Sequence, residues 1–314
     1  MTVNHHIEQF HGLPVFDFSN DPKDPDHPRT PPAPGEAAWR LALEYESAED
    51  FTALWSSFLA TVDPAGVRAL VIGPWWQNAY DALDNALDTV VRDAERLPAL
   101  RALFIGDVTY DECEISWLEM CDVTSALESF PQLEELRVRG GSGLGLKPVR
   151  HDRLRALGFE TGGLPSAVVR AVAGSELPAL ERLELWLGVD EYGGDSTIDD
   201  LAPLLDGARF PALRHLGLQN SEFQDEIAAA VAHAPVVAQL DTLDLSMGML
   251  GDDGAVALIE GQPLTHLRAL DLHHHYLTEE LQQRLRESLP GVEVDLGHAN
   301  HEDDPEDRYV AVAE

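Results

Sequence analysis

A short apolar pattern recurs along most of this chain, and it constrains the fold more than any other feature. Residues 97–105 read Leu-Pro-Ala-Leu-Arg-Ala-Leu-Phe-Ile, and residues 130–138, 177–185 and 210–218 follow the same pattern closely. Five weaker copies keep the frame Leu-x-x-Leu-x-Leu with other apolar residues. Counted from the first apolar residue, the nine copies begin at positions 67, 100, 133, 154, 180, 213, 240, 267 and 289. A motif that returns this regularly indicates a repeat architecture.

Each copy predicts one short β-strand followed by one helix. The Leu-x-Leu core alternates with a period of two, so one side of the strand is buried and the other is open. Helical patterns lie between the strands, and typical capping residues precede them: Ser47, Asn78, Thr197, Ser221 and Thr278. Stacked strand–helix units form a curved solenoid, so we expect an α/β fold with a parallel concave β-sheet and convex helices.

These residues resemble leucine-rich repeats of the ribonuclease-inhibitor-like class, whose unit is LxxLxLxx(N/C)xL with a convex helix. The resemblance implies a leucine-rich-repeat solenoid, or horseshoe, and implies no particular function. The position that the family usually gives to Asn holds Ser221, Gly248 and His275 here, which predicts irregular curvature. The chain ends, Phe10–Phe18 and Arg308–Val312, also resemble those of an actinobacterial leucine-rich-repeat family without an assigned activity.

The chain divides into four predicted parts. Residues 1–37 form an N-terminal extension and Pro-rich loop, 38–66 an N-terminal capping unit, 67–296 the leucine-rich repeats, and 297–314 an acidic C-terminal tail. A capping unit is expected because a solenoid otherwise exposes its core at its end. Two further strands are predicted, an edge strand within Gly12–Phe18 and a capping strand near Leu41–Tyr45. The sequence does not indicate where the extension and the tail dock.

The charge balance excludes several classes of partner. The chain has 314 residues with 21 Lys+Arg against 56 Asp+Glu, a net charge of −35. Nucleic acids and anionic membranes are excluded, because both need a basic surface. The two cysteines show no metal-binding or disulfide spacing, so we expect free thiols. The sequence shows neither a signal peptide nor a long apolar run, so we expect a cytoplasmic protein. A monomer is expected, with a homodimer through the apolar N-terminal concave strands as the alternative.

The strand positions between the leucines form the predicted concave face. This face begins apolar, becomes basic near Arg137 and becomes acidic beyond Asp244, with Trp186 near its middle. An outward-facing Trp beside Arg is typical of a binding hot spot. We therefore expect a non-catalytic scaffold that binds a protein partner and needs no cofactor or metal. The predicted contact residues are Arg137, Arg139, Arg182, Glu184, Trp186, His215, Asp244, Asp271 and His273.

An acidic cluster around His273 supports an alternative function. Strand alternation places His273 on the concave face near Asp271, Asp244 and Asp295, whereas His274 points away and His275 turns inward. One imidazole and three carboxylates could bind a divalent metal or perform acid–base chemistry. The alternative is therefore a metal-dependent enzyme or an enzyme-accessory protein. No motif of fixed spacing supports it.

Two other segments are set aside as sites. The glycine-rich segment Gly140–Lys147 follows a strand as a phosphate loop would, but Pro148 stands where such a loop needs Ser or Thr. Cys113 and Cys121 lie in an amphipathic stretch, which favours a place in the core over a nucleophilic role.

Overall fold

The computed structural model describes residues 3–19, 30–44, 47–78, 81–301 and 305–314. Most of the proline-rich segment, and the far end of the predicted capping strand at Tyr45, lie outside these ranges. One open sheet contains twelve strands in chain order. The strands are β1 Gln9–Phe10, β2 Leu13–Phe18, β3 Ala38–Leu41, β4 Ala69–Ile72, β5 Ala102–Ile105, β6 Glu135–Arg139, β7 Ala156–Glu160, β8 Arg182–Gly188, β9 His215–Ser221, β10 Thr242–Asp244, β11 Ala269–Asp271 and β12 Glu293–Asp295.

The repeat frame accounts for nine of these strands. Strands β4 to β11 each begin two residues after the predicted start of their copy, and β2 matches the predicted edge strand. The capping strand β3 ends at Leu41, where the predicted strand Leu41–Tyr45 was to begin, so its predicted position was wrong by about three residues. The strands pair in parallel, except that β1 and β2 are antiparallel. Register aligns equivalent leucines, as in Leu243 with Leu270. The ninth copy is displaced, because Val294 and not Val292 pairs with Leu270.

In the described part of the chain, eight α-helices connect the strands and pack on one face of the sheet. They are α1 Phe51–Thr61, α2 Asp84–Arg92, α3 Thr124–Ser129, α4 Ser166–Gly174, α5 Ile198–Leu205, α6 Gln224–Val231, α7 Asp252–Glu260 and α8 Glu279–Ser288. Short 3-10 turns occupy Pro64–Gly66, Ala94–Arg96, Ile115–Trp117, Asp190–Tyr192, Pro235–Gln239 and Pro305–Asp307. Frame leucines such as Leu136 and Leu183 join helix residues such as Val169 and Leu204 in one continuous core. None of the helices described is long and apolar enough to cross a membrane.

The predicted helix caps are confirmed in part. Thr197 forms a capping box with Asp200, and Thr278 accepts from Leu281 N. The first helix differs, because it begins at Phe51 and its N-cap is Asp50, not Ser47. The Asp50 carboxylate accepts a hydrogen bond from Ala53 N. The second helix begins at Asp84, six residues beyond Asn78, because Asp81 binds the backbone N–H groups of residues 77 and 78 in a turn.

The N-terminal extension covers the apolar end of the sheet. Phe10 packs with Ile7, Leu13 and Val15 on the sheet face opposite the helices, against Ala38, Ala69, Val71, Ala102 and Phe104. The rings of Phe10 and Phe104 lie 5.9 Å apart. These strand residues, the surface of the alternative homodimer, are therefore buried within the chain.

The C-terminal residues also dock on the sheet. Residues 308–314, which we call the C-terminal strap, cross the loops that follow the strands. The carbonyl of Tyr309 accepts from His274 Nε2 at 3.0 Å, Ala311 N donates to Met247 O at 2.8 Å, and Val312 N donates to Asn220 Oδ1 at 2.9 Å. His274, Met247 and Asn220 have φ of 55°, 69° and 55°, so successive loops leave their strands through left-handed residues. These turns place polar atoms of three successive units against the strap.

Candidate functional site

The candidate site lies on the sheet face opposite the helices, which we call the open face. Strand register sets its side chains in rows across the sheet. One row, which we call the acidic row, aligns Glu184, Gly217, Asp244, Asp271 and Asp295 on the consecutive strands β8 to β12. Neighbouring strands in such a row are about 4.8 Å apart. The sheet thus holds four carboxylates in line, with a single glycine between the first two.

The basic segment predicted before this row is neutralised within the chain. Arg139 is only 5% exposed, and its Nε donates to Glu160 Oε2 at 2.8 Å while its Nη1 donates to Val108 O at 2.9 Å. Arg137 is half-buried, and its Nε lies 3.5 Å from Glu160 Oε1. Both guanidinium groups also lie over the ring of Phe104. Arg139 is therefore part of the structural core of the face, and Arg137 is partly paired.

Behind these arginines lies a buried ionic cluster that the sequence analysis missed. Asp107 is fully buried, and it accepts from Arg40 Nε at 2.8 Å and lies 3.8 Å from Arg139 Nη1. His6 of the extension lies 3.4 Å from Asp107 and 3.3 Å from Glu112. Hydrogen bonds to these two carboxylates raise the pKa of His6 to about 9, against the opposing effects of burial and Arg40. The extension is thus fastened by charge as well as by Phe10.

Glu184 is the carboxylate of the acidic row that lies against two basic side chains. Arg182 Nη2 donates to its Oε1 at 2.6 Å, and His215 Nε2 lies 3.1 Å from the same oxygen. Burial by itself raises the pKa of Glu184, but the contacts with His215 and Arg182 outweigh burial and bring the value to about 2. Arg182 and His215 come from the register position two residues before the row, so strand alternation places all three on the same face.

The pKa of Asp244 is shifted in the opposite direction from that of Glu184. It is 7% exposed and accepts from Gln219 Nε2 at 2.9 Å and Ser246 N at 3.0 Å. Burial, with the charges of Asp271 and Glu184, raises the pKa of Asp244 to about 6 despite the hydrogen bonds from Ser246. One row therefore contains a strongly acidic carboxyl and a weakly acidic one, a divergence that is common at functional sites.

The predicted cluster of His273 and three aspartates divides into two groups. Asp271, His273 and Asp295 form one, and Asp244 lies with Glu184 and His215 in the other; in each, ligand-type atoms lie within 4.8 Å of one another. In the first, His273 Nδ1 lies 2.8 Å from Asp271 Oδ1, and this hydrogen bond raises the pKa of His273.

The other two histidines of the run are structural. His275 is fully buried; its Nε2 donates to Leu296 O at 3.3 Å and its Nδ1 accepts from Leu277 N at 3.1 Å, as the prediction of an inward ring requires. His274 is also buried, because the C-terminal strap covers it. The ring of Tyr309 packs 5.5 Å from that of His274.

Trp186 is half-buried beneath the strap. It packs against a small apolar cluster of Ile115, Met247, Ala311 and Val312. The sequence contained the signal for this contact, the apolar Tyr-Val-Ala-Val segment at 309–312, but nothing in its spacing indicated where that segment docks. Trp186 thus lies at the boundary between the open face and the strap.

The two segments set aside have structural surroundings. Both cysteines are free thiols that pack partly against the core. Burial, with the charges of Asp84, Asp88 and Asp122, raises the pKa of Cys121 to about 12, which removes it as a nucleophile at neutral pH. In the glycine-rich loop, Lys147 Nζ forms an ion pair with Asp122 at 2.7 Å.

Comparison with known proteins supports the fold and is silent on activity. A structural-genomics protein from Bacteroides fragilis is similar, with 29% identity, a TM-score of 0.80, and coverage of 87% of this chain and 76% of that one. An internalin (inlF) from Listeria monocytogenes aligns over 84% of this chain and 73% of its own, with 14% identity and a TM-score of 0.36. No family model and no curated protein matches the chain. The open, mostly parallel sheet of twelve strands fits a leucine-rich-repeat-like fold.

Proposed function

We propose that this chain is a leucine-rich-repeat horseshoe of the ribonuclease-inhibitor-like class that binds a protein partner, without catalysis, through its open face. The nine copies of the frame and their alternating strands and helices support the repeat class. In this proposal the open face is the concave surface. A rigid sheet presents its side chains in fixed positions, so little conformational entropy is lost when a partner binds.

Part of the open face is already covered by other residues of the chain, and the uncovered part is the one that would contact a partner. The extension buries the apolar strands β4 and β5, and the arginines of β6 are paired with Glu160. Strands β8 to β11 and the loop after β11 carry the remaining predicted contact residues, which are Arg182, Glu184, Trp186, His215, Asp244, Asp271 and His273. Among these Arg182 is exposed, and Asp271 and His273 are half-exposed beside the exposed Asp295.

The single observation that carries the proposal is the acidic row. Carboxylates aligned on consecutive strands give a surface of one sign, which favours a partner segment rich in Lys or Arg. Such pairs mainly accelerate association and weaken with salt, since exposed charges are screened within about 8 Å at physiological ionic strength. The partner is therefore a protein with an exposed basic segment.

Affinity capture from an extract of the native host, followed by titration of the purified partner, tests this function. The double variant Asp271→Asn/Asp295→Asn removes two charges and keeps the oxygens that accept from His273 N and Gly297 N. We expect it to bind the partner at least tenfold more weakly and with a smaller salt dependence.

The matched control removes two charges from the helical side. Glu279→Gln/Glu280→Gln lies at the exposed start of α8 and changes the net charge by the same amount. It should bind as the wild type does. Equal affinity of the acidic-row variant and the wild type for a verified partner would refute the use of this face.

A further inference from the structure

Three side chains of metal-ligand type converge on the open face from three adjacent strands. Glu184 of β8, His215 of β9 and Asp244 of β10 bring one ligand atom each within 4.8 Å of one another. His215 Nε2 and Glu184 Oε1 are 3.1 Å apart, yet the ring nitrogen is out of line for a hydrogen bond to any described group. Two ligands at right angles around one transition-metal ion, each about 2.1 Å from it, lie about 3.0 Å from each other.

A glycine makes room at the centre of this group. Gly217 stands in register between Glu184 and Asp244, so the acidic row has no side chain at that point. A Cβ atom added there would lie 2.7 Å from Gln219 Oε1 and 3.3 Å from Glu184 Cγ. The amide oxygen of Gln219 thus lies directly above the glycine, beside Glu184.

Two buried polar atoms beside this space have no hydrogen-bond partner of good geometry among the described residues. Gln219 is 6% exposed, and its Oε1 has no hydrogen-bond partner among the residues that the structure describes. Four buried side-chain atoms in the described part of the chain lack a partner, and two of them, His215 Nε2 and Gln219 Oε1, are in this group. An unpaired buried acceptor such as Gln219 Oε1 is costly, so it calls for a ligand that accepts its electron pair.

The charge of the group also favours a cation. The Asp244 carboxylate is held almost out of water next to Glu184 and Asp271, and its own hydrogen bonds come from the neutral groups of Gln219 and Ser246. A positive ion between Asp244 and Glu184 would offset both the burial of the charge and the repulsion. Arg182 already donates to Glu184 Oε1, the oxygen nearest His215, so Oε2 is the oxygen of Glu184 that is left for an ion.

We propose that Glu184, His215 and Asp244, with the amide oxygen of Gln219, form a binding site for a divalent first-row transition metal. An imidazole nitrogen with carboxylate and amide oxygens suits Mn²⁺ or Zn²⁺, whereas Mg²⁺ and Ca²⁺ prefer oxygen ligands alone. Glu184, His215 and Asp244 also belong to the predicted partner surface, but the test of partner binding uses Asp271 and Asp295, which lie outside the metal site. A bound ion would hold these side chains of β8, β9 and β10 in one arrangement, with or without a partner.

The neighbouring group of Asp271, His273 and Asp295 lacks these features. His273 Nδ1 is already within 2.8 Å of Asp271 Oδ1, and Asp295 is exposed. None of the unpartnered buried atoms of the described residues belongs to it. This second group therefore provides a control in the same chain, with the same types of side chain.

Direct metal titration of the untagged, chelator-treated full chain tests the proposal. Calorimetry with MnCl₂ and ZnCl₂ should show one site, with far weaker binding of MgCl₂ and CaCl₂, and metal analysis should give one ion per chain. Loss of an outer-shell partner of a metal ligand weakens binding about 10–100-fold, so His215→Ala, which removes a ligand, should weaken it at least as much. His273→Ala should bind as the wild type does.

A pair of glycine variants provides a test in which no ligand is removed. Gly217→Ala should abolish or strongly weaken binding, because its methyl group meets Gln219 Oε1 and Glu184. Gly158→Ala is the matched control: it occupies the same row on β7, and its added Cβ would meet atoms no nearer than 3.8 Å. Circular dichroism confirms that each variant is folded, and the visible absorption of bound Co²⁺ reports ligation independently of affinity.

Three results would overturn the proposal. These are the absence of binding by the folded wild type at 1 mM metal, equal loss in His215→Ala and His273→Ala, or loss confined to His273→Ala. None of them affects the test of partner binding, which depends on Asp271 and Asp295.

Discussion

Asn220 binds the backbone of Val312 with both ends of its side-chain amide. Its Oδ1 accepts from Val312 N at 2.9 Å, and its Nδ2 donates to Val312 O. The two residues are 92 positions apart, and Asn220 is fully buried. The amide thus replaces the backbone partner that a neighbouring strand would provide, and it fixes the strap over the loop that follows β9.

Replacing Asn220 with Ala should destabilise the protein by about 2–3 kcal/mol. The change removes both hydrogen bonds to Val312 and a third, from Asn220 Nδ2 to Thr161 O, and it places a residue with a Cβ but no compensating polar group at φ 55°. The midpoint of urea unfolding measures it. Asn85→Ala, on the exposed side of α2, is the control and should change stability by less than about 0.5 kcal/mol. Equal midpoints for the two variants would contradict this role for the amide.

Releasing the strap should expose Trp186 to solvent. Val312→Asp places a charge in the apolar cluster that contains Ile115 and Met247, where Val312 is 3% exposed. We expect stronger quenching of tryptophan fluorescence by acrylamide in this variant. The increase should vanish when Trp186→Phe is added, since Trp117, beside the strap contact Ser116, is already 53% exposed and the other four tryptophans lie near the first strands and helix. An increase that persists in the double variant would assign the change to another part of the chain.

Replacing Asp107 with Asn should cost about 3–5 kcal/mol of unfolding free energy. Asp107 is fully buried between Arg40 and Arg139, and removal of its charge leaves two buried guanidinium groups with one counter-charge fewer. Denaturant unfolding at pH 7 checks this value. The control is Asp152→Asn, which breaks an exposed pair with Arg150 and should cost less than about 1 kcal/mol. Similar losses of unfolding free energy in both variants would show that the buried cluster around Asp107 stabilises the fold no more than an exposed ion pair does.

The contribution of His6 to stability should depend on pH. Its pKa is raised from 6.5 to about 9 in the folded chain, so the folded state binds this proton more tightly than the unfolded state does. The resulting stabilisation is complete below pH 6.5 and is lost as pH rises through 9. His6→Ala should therefore lower Tm clearly at pH 6 and much less at pH 10. The exposed neighbour His5 supplies the control variant His5→Ala, and a Tm loss for His6→Ala that is the same at both pH values would count against the ion pairs.

Local periodicity was sufficient to predict the strands, but not the contacts between distant segments. Alternation fixed which side of each strand is buried, and register within the frame already aligned Arg139 with Glu160. The slip of the last copy went unrecognised because both Val292 and Val294 fit the apolar pattern.

The missed contacts share a physical cause. His6 meets Asp107, and Asn220 meets Val312, across long sequence separations. In each pair one residue lies in a chain end that carries no periodic signal. The same holds for the group of Glu184, His215 and Asp244. The sequence predicted that they share one face, but it did not predict the space above Gly217 or the position of the Gln219 oxygen. Such features depend on rotamers and loop paths.

The strap changes how this chain should come apart. Repeat arrays have mainly nearest-neighbour contacts, so their ends can fray one unit at a time. Here Ala313 O accepts from Ser116 Oγ and Ala311 N donates to Met247 O, so the strap joins the loop after β5 to the loop after β10. Opening any unit between them requires the strap to detach first. The segment from β6 to β11 should therefore unfold as a single cooperative block, and its amide hydrogens should exchange together.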